Sequence, residues 1–158
     1  MIRARWCSWN VTSCDPRGNE MAIGTWEPAA PAPALDAKGV ARLLALAQPL
    51  LEADKVIDLA PADVKQYALW AKDSGPGSAV DWTAAAADLP DAALVALIRL
   101  FALGEMAFPE WKSGDDSPVI PLARALRSRG SYPADLTAWL RSHSDNRFLP
   151  YGNLMGRR

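Results

Sequence analysis

His143 and Asp145 are the first residues to test for chemistry, because a histidine oriented by a carboxylate is the common form of a general base. They stand two residues apart in SHSDNR, residues 142–147. That spacing does not bring both onto one helix face. No other histidine occurs in the chain. A glycine-rich phosphate loop, a G-x-S-x-G elbow and an HExxH helix are all lacking. The run SGPGS, residues 74–78, follows no strand pattern and reads as a turn between helices. Of the acids Glu105, Glu110, Asp115 and Asp116, only the last two form a local cluster. Its commoner meaning is negative charge placed at the N-terminus of the helix that opens at Ser117. The two cysteines, Cys7 and Cys14, lie near the start, and one histidine cannot complete a zinc set with them. The sequence therefore predicts no enzyme, no metal and no cofactor.

Recognition chemistry is better supplied. Arg141, His143, Asn146, Arg147, Tyr151 and Asn153 crowd into one stretch of an otherwise alanine- and leucine-rich chain. A guanidinium held on an ordered surface suits bidentate recognition of carboxylate or phosphate. Trp111, followed by Lys112, sits in PEWKSGDDSP, residues 109–118, with polar residues on both sides. An aromatic in such a loop is a candidate binding anchor. These eight residues form the expected binding site, and another protein is the expected partner. The alternative is nucleic acid, bound through Arg124, Arg127, Arg129, Arg141 and Arg147. Against that stand a net charge of -1 and the lack of any helix-turn-helix or RNA-binding signature. Trp82 and Trp139 are expected in the core, because an indole buries so much area.

The charge is strongly uneven along the chain. Residues 20–116 carry seven bases against fifteen acids, whereas residues 117–158 carry seven arginines against Asp135 and Asp145. A basic end on an acidic body fits an anionic partner, and it equally fits attraction between the two halves or between two copies. The longest apolar run, Ala92 to Phe108, is interrupted by Arg99 and Glu105 and is short of a membrane span. It reads as the central buried helix of a soluble, cytoplasmic protein with reduced thiols.

Positioning these residues falls to helices. Residues 1–34 read as an irregular extension ending in the proline-rich linker PAAPAPA, with residues 1–20 outside the native protein if translation starts at Met21. Residues 35–158 read as one all-α domain of about six helices. Val40, Leu43, Leu44, Ala47, Leu50 and Leu51 recur at helical spacing behind Asp36 as N-cap, and Pro49 should kink or shorten that helix. Pro61 opens a second helix, running to Gly75, and Asp81 a third. A fourth follows Pro90, a fifth Pro118 with Gly130 closing it, and a sixth Pro133.

Shifted by 57 residues, the chain repeats itself at 13 positions between residues 35 and 88, including Arg42 with Arg99, Pro61 with Pro118 and Trp82 with Trp139. This pattern predicts two tandem three-helix units, 35–91 and 92–145, with 146–158 as a capping tail. Two such units stacked as a short α-solenoid-like bundle would resemble a piece of a HEAT- or armadillo-type solenoid, in architecture alone and with no family motif matched. The concave side of such a stack commonly binds macromolecules.

Overall fold

The apolar run from Ala92 folds as one long helix, α4 (Asp91–Ala107), and three of the other helices pack directly on it. The helix has no internal proline, and Asp91 puts negative charge in its first turn. Leu94, Leu97, Ile98, Leu100 and Phe101 are all buried, so α4 is enclosed on most of its circumference. The structure, a computed structural model, describes residues 34–52 and 59–152, the side chains of 50–52 excepted. Cys7, Cys14, the expected extension with its possible start at Met21, most of the linker, and Asn153 lie outside the described residues.

Five further helices are present among the described residues, with no strand: α1 (Ala37–Glu52), α2 (Pro61–Ala68), α3 (Trp82–Ala87), α5 (Val119–Ser128) and α6 (Leu136–His143). The all-α expectation holds. Short 3₁₀ turns, Pro109–Trp111 and Gly114–Asp116, lie between α4 and α5, where the sequence suggested a plain loop. Helices α1, α5 and α6 pack on α4, while α3 packs on α5 and α2 meets the first 3₁₀ turn. The contacts of α1 with α4, of α3 with α5 and of α2 with the turn all run across the expected boundary between residues 91 and 92. The described residues all belong to one compact unit.

Local chemistry explains the ends. Asp36 caps α1 by accepting from the Gly39 backbone N–H at 2.7 Å, and Asp81 caps α3 by accepting from Ala84 at 2.8 Å. Helix α5 closes in a Schellman motif, with Gly130 at φ 71° and bonds from Gly130 to Arg127 and from Ser131 to Leu126, both 3.0 Å. Helix α1 is not shortened at Pro49 and runs to Glu52, as its apolar spacing implied. One boundary differs from expectation: α2 stops at Ala68, well before Gly75. Beyond that stop, Trp70 and Ala71 turn inward and are buried, which rewards leaving the helix more than continuing it would.

Four aromatic side chains knit these elements. Trp82 meets Phe101 edge-on at 5.1 Å, Phe101 meets Trp111 at 6.1 Å, and Phe108 meets Trp111 at 5.5 Å. Both tryptophans of this set also find an acceptor: Trp82 Nε1 donates to the Trp70 carbonyl at 2.8 Å, and Trp111 Nε1 to the Val64 carbonyl at 3.0 Å. Trp111 is fully buried. Its expected role as a surface anchor is therefore corrected, because neither its face nor its N–H is presented to solvent.

Room for Trp111 comes from Gly104. A Cβ at that position of α4 would collide with Cε3 and Cζ3 of the indole. Helix propensity alone favours alanine over glycine in a helix by about 1 kcal/mol. Here Gly104→Ala is expected to lower stability instead, by about 1–3 kcal/mol as in other overpacked cores. Urea denaturation checks this, and in a Trp111→Leu background the same Gly104→Ala change should cost far less.

Candidate functional site

Beyond α6 the chain turns back over α4, and a single buried acid directs it. Glu105 is 2% exposed. Ser117 Oγ donates to its Oε1, and Asn146 Nδ2 donates to its Oε2 at 2.8 Å. The same Asn146 amide reaches the Gly114 carbonyl at 2.9 Å, while its Oδ1 accepts from the Phe148 N–H at 3.0 Å. Every polar atom of the Asn146 side chain is thus used inward. It is a latch that fixes the tail to α4 and to the second 3₁₀ turn, while the residue itself stays half-buried at the surface.

The tail behind this latch packs firmly. Leu149 and Pro150 are buried and Phe148 is half-buried. The Gly152 N–H returns to the Phe148 carbonyl at 2.6 Å, with Gly152 at φ 78°. Arg127 of α5 supports the turn from below. Its guanidinium lies 4.5 Å from the Tyr132 ring and 4.4 Å from the Tyr151 ring, and its Nη1 donates to the Pro150 carbonyl at 3.4 Å. Lys112 and Asp145 form an exposed ion pair at 3.7 Å along the same edge.

This packing leaves a groove of about 280 Å³ lined by Leu140, Arg141, Ser144, Asp145, Asn146, Arg147, Leu149 and Tyr151. Arg141, Arg147 and Tyr151 are exposed there, with the Arg147 guanidinium 4.9 Å from the Phe148 ring. Four of the eight expected site residues therefore meet at one groove: Arg141, Asn146, Arg147 and Tyr151. Lys112 is tied to Asp145 and does not line it. His143 stacks on Trp139 at 4.3 Å and 14°, with Nδ1 at 2.9 Å from the Trp139 carbonyl and 2.8 Å from Ser142 Oγ. Trp139 itself is only half-buried, with Arg99 5.1 Å from its ring, so it differs from the fully buried Trp82.

A second, larger groove of about 540 Å³ lies on the other side of Tyr151, lined by Ile120, Arg124, Arg127, Pro150 and Tyr151. The proline and isoleucine of its lining carried no signal in the sequence. Arg129, named with these arginines as a nucleic-acid contact, has a different occupation. Its two terminal nitrogens donate to the carbonyls of Ala86, Ala87 and Leu89 and to Asp91 Oδ1, at 2.6–2.9 Å. It closes the C-terminal end of α3 and holds the Asp91 carboxyl below its ordinary range.

Among the described residues, no three His, Cys, Asp or Glu side chains are placed to hold a metal ion, and no helix is long and apolar enough to cross a membrane. The chain matches no protein-family model, no curated protein and no solved structure.

Burial pushes the Glu105 carboxyl above its ordinary value, against the opposing bonds from Ser117 and Asn146. Its proton is held more tightly in the folded chain than in the unfolded one. The resulting stability is present below the ordinary glutamate value and lost as pH rises through the raised folded value. Glu105→Gln should remove this part of the pH dependence, since the Ser117 hydroxyl can accept from the new amide as readily as it donates to the acid. Thermal unfolding of both proteins across the acidic range measures the difference in slope.

Proposed function

We propose that the protein is a non-enzymatic interaction module, an adaptor whose Arg-rich last helix and tail bind an acidic segment of another protein. One observation carries this reading: Arg141 and Arg147 stand exposed beside Tyr151 around a single groove, on backbone held by the Asn146–Glu105 latch. A guanidinium carried on ordered backbone suits a bidentate contact with a carboxylate, and a tyrosine beside it adds rigid amphipathic area. The exposed Tyr151 ring gives a partner side chain apolar area to cover. The two cysteines, read as reduced thiols, support a cytoplasmic setting.

Nucleic acid is the second reading, favoured by Arg124 and Arg127, which line the groove on the far side of Tyr151. The two separate by salt. Phosphate binding releases counterions and weakens steeply as salt rises, whereas a contact anchored on Tyr151 weakens less.

Fluorescence anisotropy tests both with the full chain, a labelled twelve-residue peptide of alternating Glu and Leu, and a labelled single-stranded oligonucleotide. The peptide should bind with shallow salt dependence, and Arg141→Ala/Arg147→Ala should weaken it by at least about tenfold, the scale of losing two charge-assisted contacts. Equal binding by wild type and variant overturns the tail-groove reading. Preference for the oligonucleotide, lost steeply with salt, favours the second.

A further inference from the structure

Beside the tail groove the surface carries two clefts of opposite sign with a common border. The basic one holds Arg124 and Arg127. The acidic one, about 240 Å³, holds Asp73, Asp115 and Asp116, and Ile120 and Arg124 line both. Charges this close commonly pair within one chain. Here Arg124, Asp115 and Asp116 are all exposed, and the ion pairs among the described residues join Lys112 to Asp145 and Arg129 to Asp91.

Both patches rest on fixed backbone. The Asp73 N–H donates to the Asp116 carbonyl at 2.8 Å, tying the acidic turn to the segment after α2. On the other side, Arg127 is held between the rings of Tyr132 and Tyr151. The charges therefore form a pattern with a defined geometry, which is what distinguishes a recognition surface from solvated decoration.

An acidic patch and a basic patch that share a border are complementary to themselves. A two-fold axis placed between Arg124 and the Asp115–Asp116 pair, across the cleft that all three line, turns the arginine of one molecule onto the carboxylates of a second, and the same rotation repeats the contact in reverse. We propose that this face joins two copies of the chain in an isologous dimer, with Arg124 of each copy set against Asp115 and Asp116 of the other. Ile120 and Pro150 are buried already, so the contact adds little apolar area and owes its strength to charge. It is accordingly modest in affinity and weakened by salt. Arg141 and Arg147 take no part, so this dimer stands or falls separately from the tail-groove reading.

Sedimentation velocity on the full chain tests it. At low salt the wild type should pass from monomer to twice the monomer mass as concentration rises, and return to monomer in high salt. Arg124→Glu alone and Asp115→Lys/Asp116→Lys alone should each raise the dissociation constant by at least about tenfold, because like charges then face one another. Circular dichroism confirms that each variant is folded. Mixing the two variants should restore a dimer containing one copy of each, since every contact across the axis again joins opposite charges. A wild type that stays monomeric at all concentrations in low salt overturns the proposal. So does a dimer indifferent to both charge reversals, or a mixture that stays monomeric.

Discussion

The approach of Trp111 to the bare backbone of α4 at Gly104 is the contact on which the rest of the domain depends. One indole there touches α4, packs with Phe101 and Phe108, and hydrogen-bonds the Val64 carbonyl of α2, 47 residues earlier in the chain. Few core residues join so many elements through one side chain. A tryptophan is suited to this because it combines the largest apolar area with one donor, and a buried donor must find an acceptor. Gly39 and Trp70 repeat the arrangement at the other end of the core, where a Cβ on α1 would lie 2.9 Å from the indole. In both places a glycine inside a helix gives up propensity so that an aromatic ring can reach the helix axis.

From that fixed point the chain leads to the surface in a few steps. The first 3₁₀ turn ends at Trp111, the second ends at Asp116, and Ser117 then meets Glu105 one turn of α4 away from the bend. Glu105 collects Ser117 from one side and Asn146 from the other, so the same carboxylate that terminates the core also orients the tail. Burying an acid is costly, and its two donors offset only part of that cost, since burial still holds the carboxyl above its ordinary value. Arg127 gives the tail a second support, through the faces of two tyrosines and a hydrogen bond to the Pro150 carbonyl. Arginine suits that position because its flat, weakly hydrated cation can stack where an ammonium would demand water.

Much of the fold could be read from local signals because those signals are local in origin. Asp36 and Asp81 as caps, Pro61 at a helix start and Gly130 at a helix end act within four residues of themselves. The apolar run of α4 is legible for a similar reason, since periodicity and length decide between core helix and membrane span. The end of α2 was not legible, because Trp70 and Ala71 leave the helix to reach partners far away in sequence. Trp111 was misread on the same ground. Its polar neighbours suggested exposure, whereas its burial follows from Gly104 and Val64, neither of them adjacent in sequence. In the candidate site, the gathering of Arg141, Arg147 and Tyr151 followed from their closeness along the chain. The inward turn of Asn146 depended on Glu105, 41 residues before it, and no local pattern announced that pairing.

The Asn146–Glu105 bond also has a meaning for how the protein is made. A ribosome releases α4 with Glu105 well before it delivers Asn146, and domains emerging from synthesis begin to pack as they appear. Until residue 146 arrives, the acid at the heart of the nascent domain has Ser117 as its one donor among the two it holds at the end. The buried acid is therefore fully partnered only once the last part of the described chain is in place, so the closing of the interior and the ordering of the tail are one event.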